Sequence, residues 1–262
     1  MFLCKRVLIL ARCIGFILLI CVQLFGHPFS VLATSANEKD TLIFLHYNNK
    51  GFAYEKDGVV KGPMVQYVNH IAKLAGIQIR WVKSIHPYTQ IFSQRTNYCS
   101  YAMVKTPDRE NMIHFTETVG EVHKFSVISR RNDLNFNNAK TFADLIKQPD
   151  LIIGVIKNNS YGPYIDKLLK NQAHQVMQSM TLKRLFYMTH NGKIDYFLVT
   201  KNNTSEILKS PPFNNSLKSI TDLKDLNELR TEFSIACSIN TDVSFIKRLN
   251  TAIQKTPRVR LH

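Results

Sequence analysis

Between residues 41 and 253 the chain alternates short apolar runs with segments whose apolar positions recur at helical spacing. Thr41–Tyr47 (TLIFLHY) is an apolar, β-branched run of strand length. It is followed by the loop Asn48–Gly51, a short extended piece Phe52–Tyr54 and a turn at Lys56-Asp57-Gly58. In Pro63–Ala75 the residues Met64, Val68, Ile71, Ala72 and Ala75 line one helical face. Pro63 suits the first turn, where its missing N–H is no loss, and Gly76 suits the stop. Ile77, Ile79 and Trp81 then alternate with Gln78 and Arg80, which predicts a strand. A short helix follows over Tyr88–Gln94, then a strand over Tyr98–Val104 ending at the turn Thr106-Pro107-Asp108-Arg109, and another strand over Lys124–Ser129. This β-α-β-α-β order implies a mainly parallel sheet flanked by helices.

The pattern then restarts. Thr141 caps a short helix to Ile146, Leu151–Ile156 reads as a buried strand, and Ser160 opens a helix to about Lys170. Gln175–Met177 is a weak strand, Leu182–His190 a helix stopped near Gly192, Asp195–Thr200 (DYFLVT) a strand, and Thr204–Lys209 a short helix. An irregular charged stretch, Asn214–Arg230, precedes a strand at Phe233–Ser238 and a helix at Val243–Ile253. Two α/β units of similar size leave a cleft between them. In such sheets ligands sit beyond the carboxyl ends of the strands, which directs attention to the loops after Tyr47, Val104, Ile156 and Thr200.

The N-terminus changes the picture of where this fold works. Lys5 and Arg6 precede an apolar run from Val7 to Phe25, and small residues (Ala33, Thr34, Ser35, Ala36) stand before the polar Asn37-Glu38-Lys39-Asp40. That order reads as a secretory signal peptide over 1–36 and predicts a periplasmic protein, an uncleaved membrane anchor being the lesser reading. Cys4, Cys13 and Cys21 lie in the leader, leaving Cys99 and Cys237. Two cysteines in an exported protein are compatible with one disulfide and equally with two buried thiols. The net charge is +15, and Lys5, Arg6 and Arg12 in the leader leave +12 beyond it. Such a balance favours anionic partners, but the cations are scattered and no nucleic-acid motif accompanies them, so nucleic acid is not expected as a partner. With 45% apolar and 20% charged residues the chain is neither disordered nor polytopic.

Catalytic motifs are absent from the sequence: there is no GxSxG, HExxH, Walker loop or GxGxxG, and neither a cofactor nor a metal is expected. Binding chemistry has better candidates. Arg109 follows a strand and a turn, where a guanidinium fork can hold a carboxylate or phosphate; pairing with Asp108 or Glu110 is the plainer alternative. Asn159-Ser160-Tyr161-Gly162 precedes a helix after a buried strand, and backbone N–H groups there favour an anion. Tyr47, Phe52, Tyr54, Trp81 and Tyr88 offer stacking faces, although most such rings serve cores. His46 stands at a strand end facing the cleft.

Five stretches carry a family resemblance: Gly51–Gly58 (GFAYEKDG) with the Gly62–Gly76 helix, Tyr98–Glu117 (YCSYAMVKTPDRENMIHFTE), Ile152–Gly162 (IIGVIKNNSYG) and Asn191–Thr200 (NGKIDYFLVT). Taken in order, they resemble the type II periplasmic solute-binding proteins, specifically the family-3 group that includes polar amino-acid binders. The resemblance implies a two-lobe α/β fold: 37–130 as the first part of lobe 1, 131–222 as lobe 2, and 223–262 as a shortened return to lobe 1. It implies ligand contacts from Arg109 and Thr106, from Tyr47 and Phe52 above, from Asn159, Ser160 and Tyr161, and from Thr200. It also implies that Cys99 and Cys237 lie on strands close enough to bridge. The expected partners are a small polar or carboxylate-bearing ligand and a membrane permease, with the binding protein itself a monomer. Two positions depart from the pattern. Thr200 stands where an aspartate usually holds an α-ammonium, and Val104 stands where a hydroxyl is usual. Two alternatives share the fold: a dehydratase-like enzyme, for which Glu55, His46 or His86 would supply acid chemistry, and a module reporting to a membrane receptor.

Overall fold

In chain order β1 (Thr41–His46) leads through the hairpin of β2 (Tyr54–Lys56) and β3 (Val59–Lys61) to α1 (Pro63–Leu74), β4 (Gln78–Lys83), α2 (Tyr88–Gln94) and β5 (Tyr98–Met103). A single helical turn, α3 (Pro107–Glu110), precedes the long β6 (Ile113–His123) and then β7 (Phe125–Arg130). Next come α4 (Phe142–Ile146), β8 (Ile152–Ile156), α5 (Pro163–Gln172), β9 (Gln175–Ser179), α6 (Leu182–His190), β10 (Tyr196–Thr200) and α7 (Ser205–Leu208). There follow β11 (Leu217–Ile220), α8 (Lys224–Glu228), β12 (Arg230–Ser238), α9 (Val243–Ile253) and β13 (Val259–Leu261). These elements come from a computed structural model that describes residues 40–84, 88–133, 136, 139–200 and 204–261. The leader and His86 lie outside the described residues.

Two sheets organise the molecule. The first has the order β13-β6-β12-β5-β1-β4 and the second β11-β7-β10-β8-β9. The βαβ halves are parallel, as expected: β1 with β4 and β5, and β8 with β9 and β10. Antiparallel strands extend both sheets, β12 between β5 and β6, and β7 between β10 and β11. The strand at Phe125–Arg130, read from sequence as the last of the first unit, instead pairs in the second sheet. The reason is β6, which sequence periodicity does not reveal. Its pairing with β12 shifts register twice, and each irregularity breaks the two-residue alternation that marks a strand. β6 completes the first sheet, and Lys124 alone, with φ of 58°, turns the chain into the second.

Local rules explain the helix starts. Thr141 accepts from Asp144 N–H while the Asp144 carboxylate accepts from Thr141 N–H, a reciprocal cap for α4. α5 begins at Pro163 rather than at Ser160, because Gly162 takes a φ of 101° that ends the preceding loop and Pro163 fits the first helical position.

Packing follows the strand period. Leu42 and Phe44 of β1 face one buried cluster with α1, whereas Leu45 faces another with Phe92 and Met103. In β10, Tyr196 and Leu198 face one side, and Phe197 and Val199 meet Leu185 and Phe186 of α6 on the other. Cys99 of β5 and Cys237 of β12 stand opposite each other in register and are joined by a disulfide.

Candidate functional site

The registers place the candidate loops together. β1 and β5 run parallel, and β12 pairs Ser234 with Met103 before continuing back to Arg230, which faces His123 at the crossing. The carboxyl ends of β1 and β5 therefore point toward the crossover. In the second sheet Thr200 pairs with Phe125, the first residue after the crossing, and β8 runs parallel to β10. The carboxyl ends of β8 and β10 point toward the same place. The loops after Tyr47, Val104 and Ile156 converge there, and β10 ends at Thr200 on the same side.

Arg109 is the pivot of this region. Its N–H groups donate to the Val104 carbonyl (2.7 Å) on its own loop and to the Asn158 carbonyl (2.7 Å) across the cleft. Neither Asp108 nor Glu110 is its partner; Glu110 pairs with Lys105 at 2.9 Å. Burial lowers the guanidinium pKa, and the Asp166 carboxylate opposes that shift. Thr106 precedes α3 and accepts, through its carbonyl, from Arg109 N–H and Glu110 N–H, each at 3.0 Å. It thereby shapes the turn that presents the guanidinium.

Across the cleft, Asn158 takes a left-handed φ of 61°. The Ser160 hydroxyl and the Tyr161 N–H (2.9 Å) both donate to the Asp166 carboxylate. The donors that sequence reasoning offers to a ligand anion are thus turned onto an internal carboxylate in the first turn of α5. Tyr161 itself is buried, and its phenol oxygen accepts from Ile156 N–H at 3.2 Å. Asn159 is exposed beside it. The Thr231 hydroxyl of β12 donates to the Tyr161 carbonyl at 3.1 Å, a second link between the lobes. A Cβ on Gly162 would lie 2.7 Å from that hydroxyl oxygen, so glycine is required there by space as well as by φ.

The aromatic candidates divide by face. Phe52 packs against Tyr101 and Phe233, and Trp81 against Phe44 and Tyr101, on the α1 side of the first sheet. Tyr47 packs edge-to-face on Tyr88, with centroids 4.7 Å apart, on the α2 side. Burial raises the pKa of Tyr47, Tyr88 and Tyr101, and hydrogen bonds with Ser84 and Ser100 partly offset this for Tyr47 and Tyr88. His46, at the end of β1, is 1% exposed, and its Nδ1 has no partner among the described residues. Burial lowers its pKa, with Glu55 opposing and Lys83 adding to the shift. Thr200 is half-buried at the end of β10. The aspartate of the NGKID stretch, Asp195, serves structure: it accepts from Arg130 (2.7 Å) and from Ile152 N–H (2.8 Å). Among the described residues no group of three or more His, Cys, Asp or Glu side chains gathers to hold a metal ion.

Sequence reasoning missed Asp166, Asn158 and Thr231. Asp166 alone carried a signal, since a carboxylate in the first turn of a helix competes for the N–H groups that precede it.

Two mixed sheets, joined where the chain crosses at Lys124 and where it returns from β11 to β12, with strand ends facing each other, define a two-lobe α/β fold. No protein-family model and no curated protein matches the sequence. Solved structures do match. An ancestral arginine-binding protein bound to arginine aligns with a TM-score of 0.63 and 16% identity, over 82% of this chain and 92% of that one. Holo ArgBP from T. maritima aligns at 0.64 and 14%, over 83% and 91%. The B. pertussis BvgS periplasmic domain aligns at 0.66 and 16%, over 84% of this chain and 41% of that one. The chain has the fold of the type II periplasmic solute-binding proteins.

Proposed function

We propose that this chain is a solute-binding protein rather than an enzyme, exported to the periplasm, that closes two lobes over a small carboxylate-bearing solute and presents it to a membrane permease. The observation that carries this reading is Arg109, a half-buried guanidinium held at the facing strand ends with one arm on each lobe. In this reading a ligand carboxylate replaces the Asn158 carbonyl, a neutral acceptor, as the guanidinium's partner, and a bond between two opposite charges, open to bidentate geometry, is the stronger of the two. Thr106 fixes the guanidinium, Tyr47 and Phe52 wall the first lobe, and the loop 159–161 with Thr200 lines the second. Thr200 in place of a carboxylate leaves an ammonium group without a counter-charge at that position, which favours organic acids and acidic or neutral solutes over cationic ones.

The test is thermal unfolding of residues 37–262 with amino acids, organic acids and short peptides, with Arg109→Ala in parallel. A stabilising carboxylate whose apparent Kd weakens by about tenfold or more in the variant is the expected result. Stabilisation by a carboxylate that is equal in both proteins would remove Arg109 from the site. A second reading, a module that reports to a membrane receptor, draws on the Arg109 and Thr231 links, through which protein groups themselves hold the lobes together. It predicts no stabilising solute and retention of the protein by a membrane receptor.

A further inference from the structure

The two main sheets present four edges, and one is unlike the rest. β4 carries Arg80 and Lys83, β11 carries Lys218 and β13 carries Arg260, whereas β9 (QVMQS) carries no charge and no proline. Charges and prolines are the usual protection of an edge against pairing with another chain. Among the described residues β9 is hydrogen-bonded on one side only, to β8. The Ser179 carbonyl faces that neighbour, accepting from Lys157 N–H at 2.8 Å. Because alternate residues of a strand present their N–H and C=O groups to opposite sides, those of Val176 and Gln178 point away from the sheet. Four of the five residues are exposed, and Val176 (44%), Met177 (38%) and Met180 (53%) expose apolar surface along the edge.

The charge carried by the segment that holds this edge is of one sign. Between Asp166 and Asp195 the chain has no Asp or Glu, while Lys167, Lys170, Lys183, Arg184 and Lys193 are all exposed, as is His174. Lys170 and His174 precede the strand, and Lys183 and Arg184 follow it in the first turn of α6.

We infer that the β9 edge is a docking site for an extended acidic segment of a partner protein, which adds as a sixth strand to the second sheet. Its backbone would pair with Val176 and Gln178, its apolar side chains would cover Val176 on one face of the sheet, and its carboxylates would meet the flanking cations. Such strand addition draws affinity from main-chain bonds and specificity from alternate side chains. A second copy of this chain is disfavoured, because edge-to-edge pairing about a two-fold axis would bring the same cations together. An anionic lipid surface would satisfy the charges and the apolar side chains but not the backbone donors and acceptors.

The experiment uses a labelled, end-blocked peptide of alternating Glu and Val, seven residues long, with a Lys-Val peptide as control. Fluorescence anisotropy measures binding to residues 37–262, to Gln178→Pro, which removes an outward N–H, and to Lys183→Glu/Arg184→Glu. Circular dichroism and Tm verify that each variant is folded. The acidic peptide should bind the parent protein, slow amide exchange at Val176 and Gln178, and lose about tenfold or more in affinity in each variant. The proposal is overturned if the acidic peptide does not bind at millimolar concentration, binds all proteins alike, or leaves those amides unprotected. It is equally overturned if sedimentation shows a dimer that Gln178→Pro dissolves, or if phosphatidylglycerol vesicles take up parent and Gln178→Pro alike while the peptide does not bind.

Discussion

His46 ends β1 with its ring inside the first lobe, beside Glu55 and Lys83 and with Nδ1 unpartnered among the described residues. Burial holds its folded pKa below the ordinary value of 6.5. The sign follows from linkage: between the two pKa values the unfolded chain binds a proton that the folded chain refuses. The contribution is therefore fully present above pH 6.5 and is lost as pH falls toward the folded value. Urea midpoints measured from pH 7.5 to 5 should fall more steeply for the parent protein than for His46→Phe. Parallel curves would show that His46 does not titrate against folding. The same geometry explains why a histidine visible in the sequence is poorly placed as an exposed acid.

At the scale of elements, β12 holds the returning chain to the first lobe, and its disulfide to Cys99 closes a loop with a sequence separation of 138. Cross-links over long loops remove conformational entropy from the unfolded chain, typically about 2–4 kcal/mol. The double variant Cys99→Ala/Cys237→Ala should lose stability of that order, a fall in Tm of roughly 5–15 °C for a domain of this size. Thermal unfolding with and without reductant checks it: reductant should lower the Tm of the parent and leave the variant unchanged. An unchanged parent would mean that the bond does not restrain unfolding. β6 shows why elements escape a sequence reading. Its residues IHFTETVGEVH mix buried and exposed positions because β12 on one side has shifted register and β13 covers only Gly120 to Val122 on the other.

At the scale of the whole molecule, hydrogen bonds made by protein groups at the facing strand ends tie the lobes together, Arg109 to the Asn158 carbonyl and Thr231 to the Tyr161 carbonyl among them. Allowing for the partial exposure of Arg109, the pair contributes about 2 kcal/mol to closure, enough to shift an open–closed balance by more than tenfold. The double variant Arg109→Ala/Thr231→Val should have a larger radius of gyration in small-angle X-ray scattering than the parent, with unchanged secondary structure by circular dichroism. An identical radius would place the restraint on lobe motion elsewhere, in the single-residue crossing at Lys124 or in the β6–β12 ladder.

Much of the fold was legible in the residues. Helical spacing over 63–75, apolar runs at 41–47, 151–156 and 195–200, and the Thr141 cap all reappear as elements, because each depends on neighbours in sequence. The parallel order of β1 with β5 and of β8 with β10 was legible for the same reason, and it dictates which strand ends lie at the crossing. The tertiary structure alone decided the rest. It assigned Phe125–Arg130 to the second sheet, turned Arg109 onto carbonyls of both lobes, and gave the Ser160 and Tyr161 donors to Asp166. Each of these depends on which distant segment arrives beside a residue, and no local periodicity encodes that arrival.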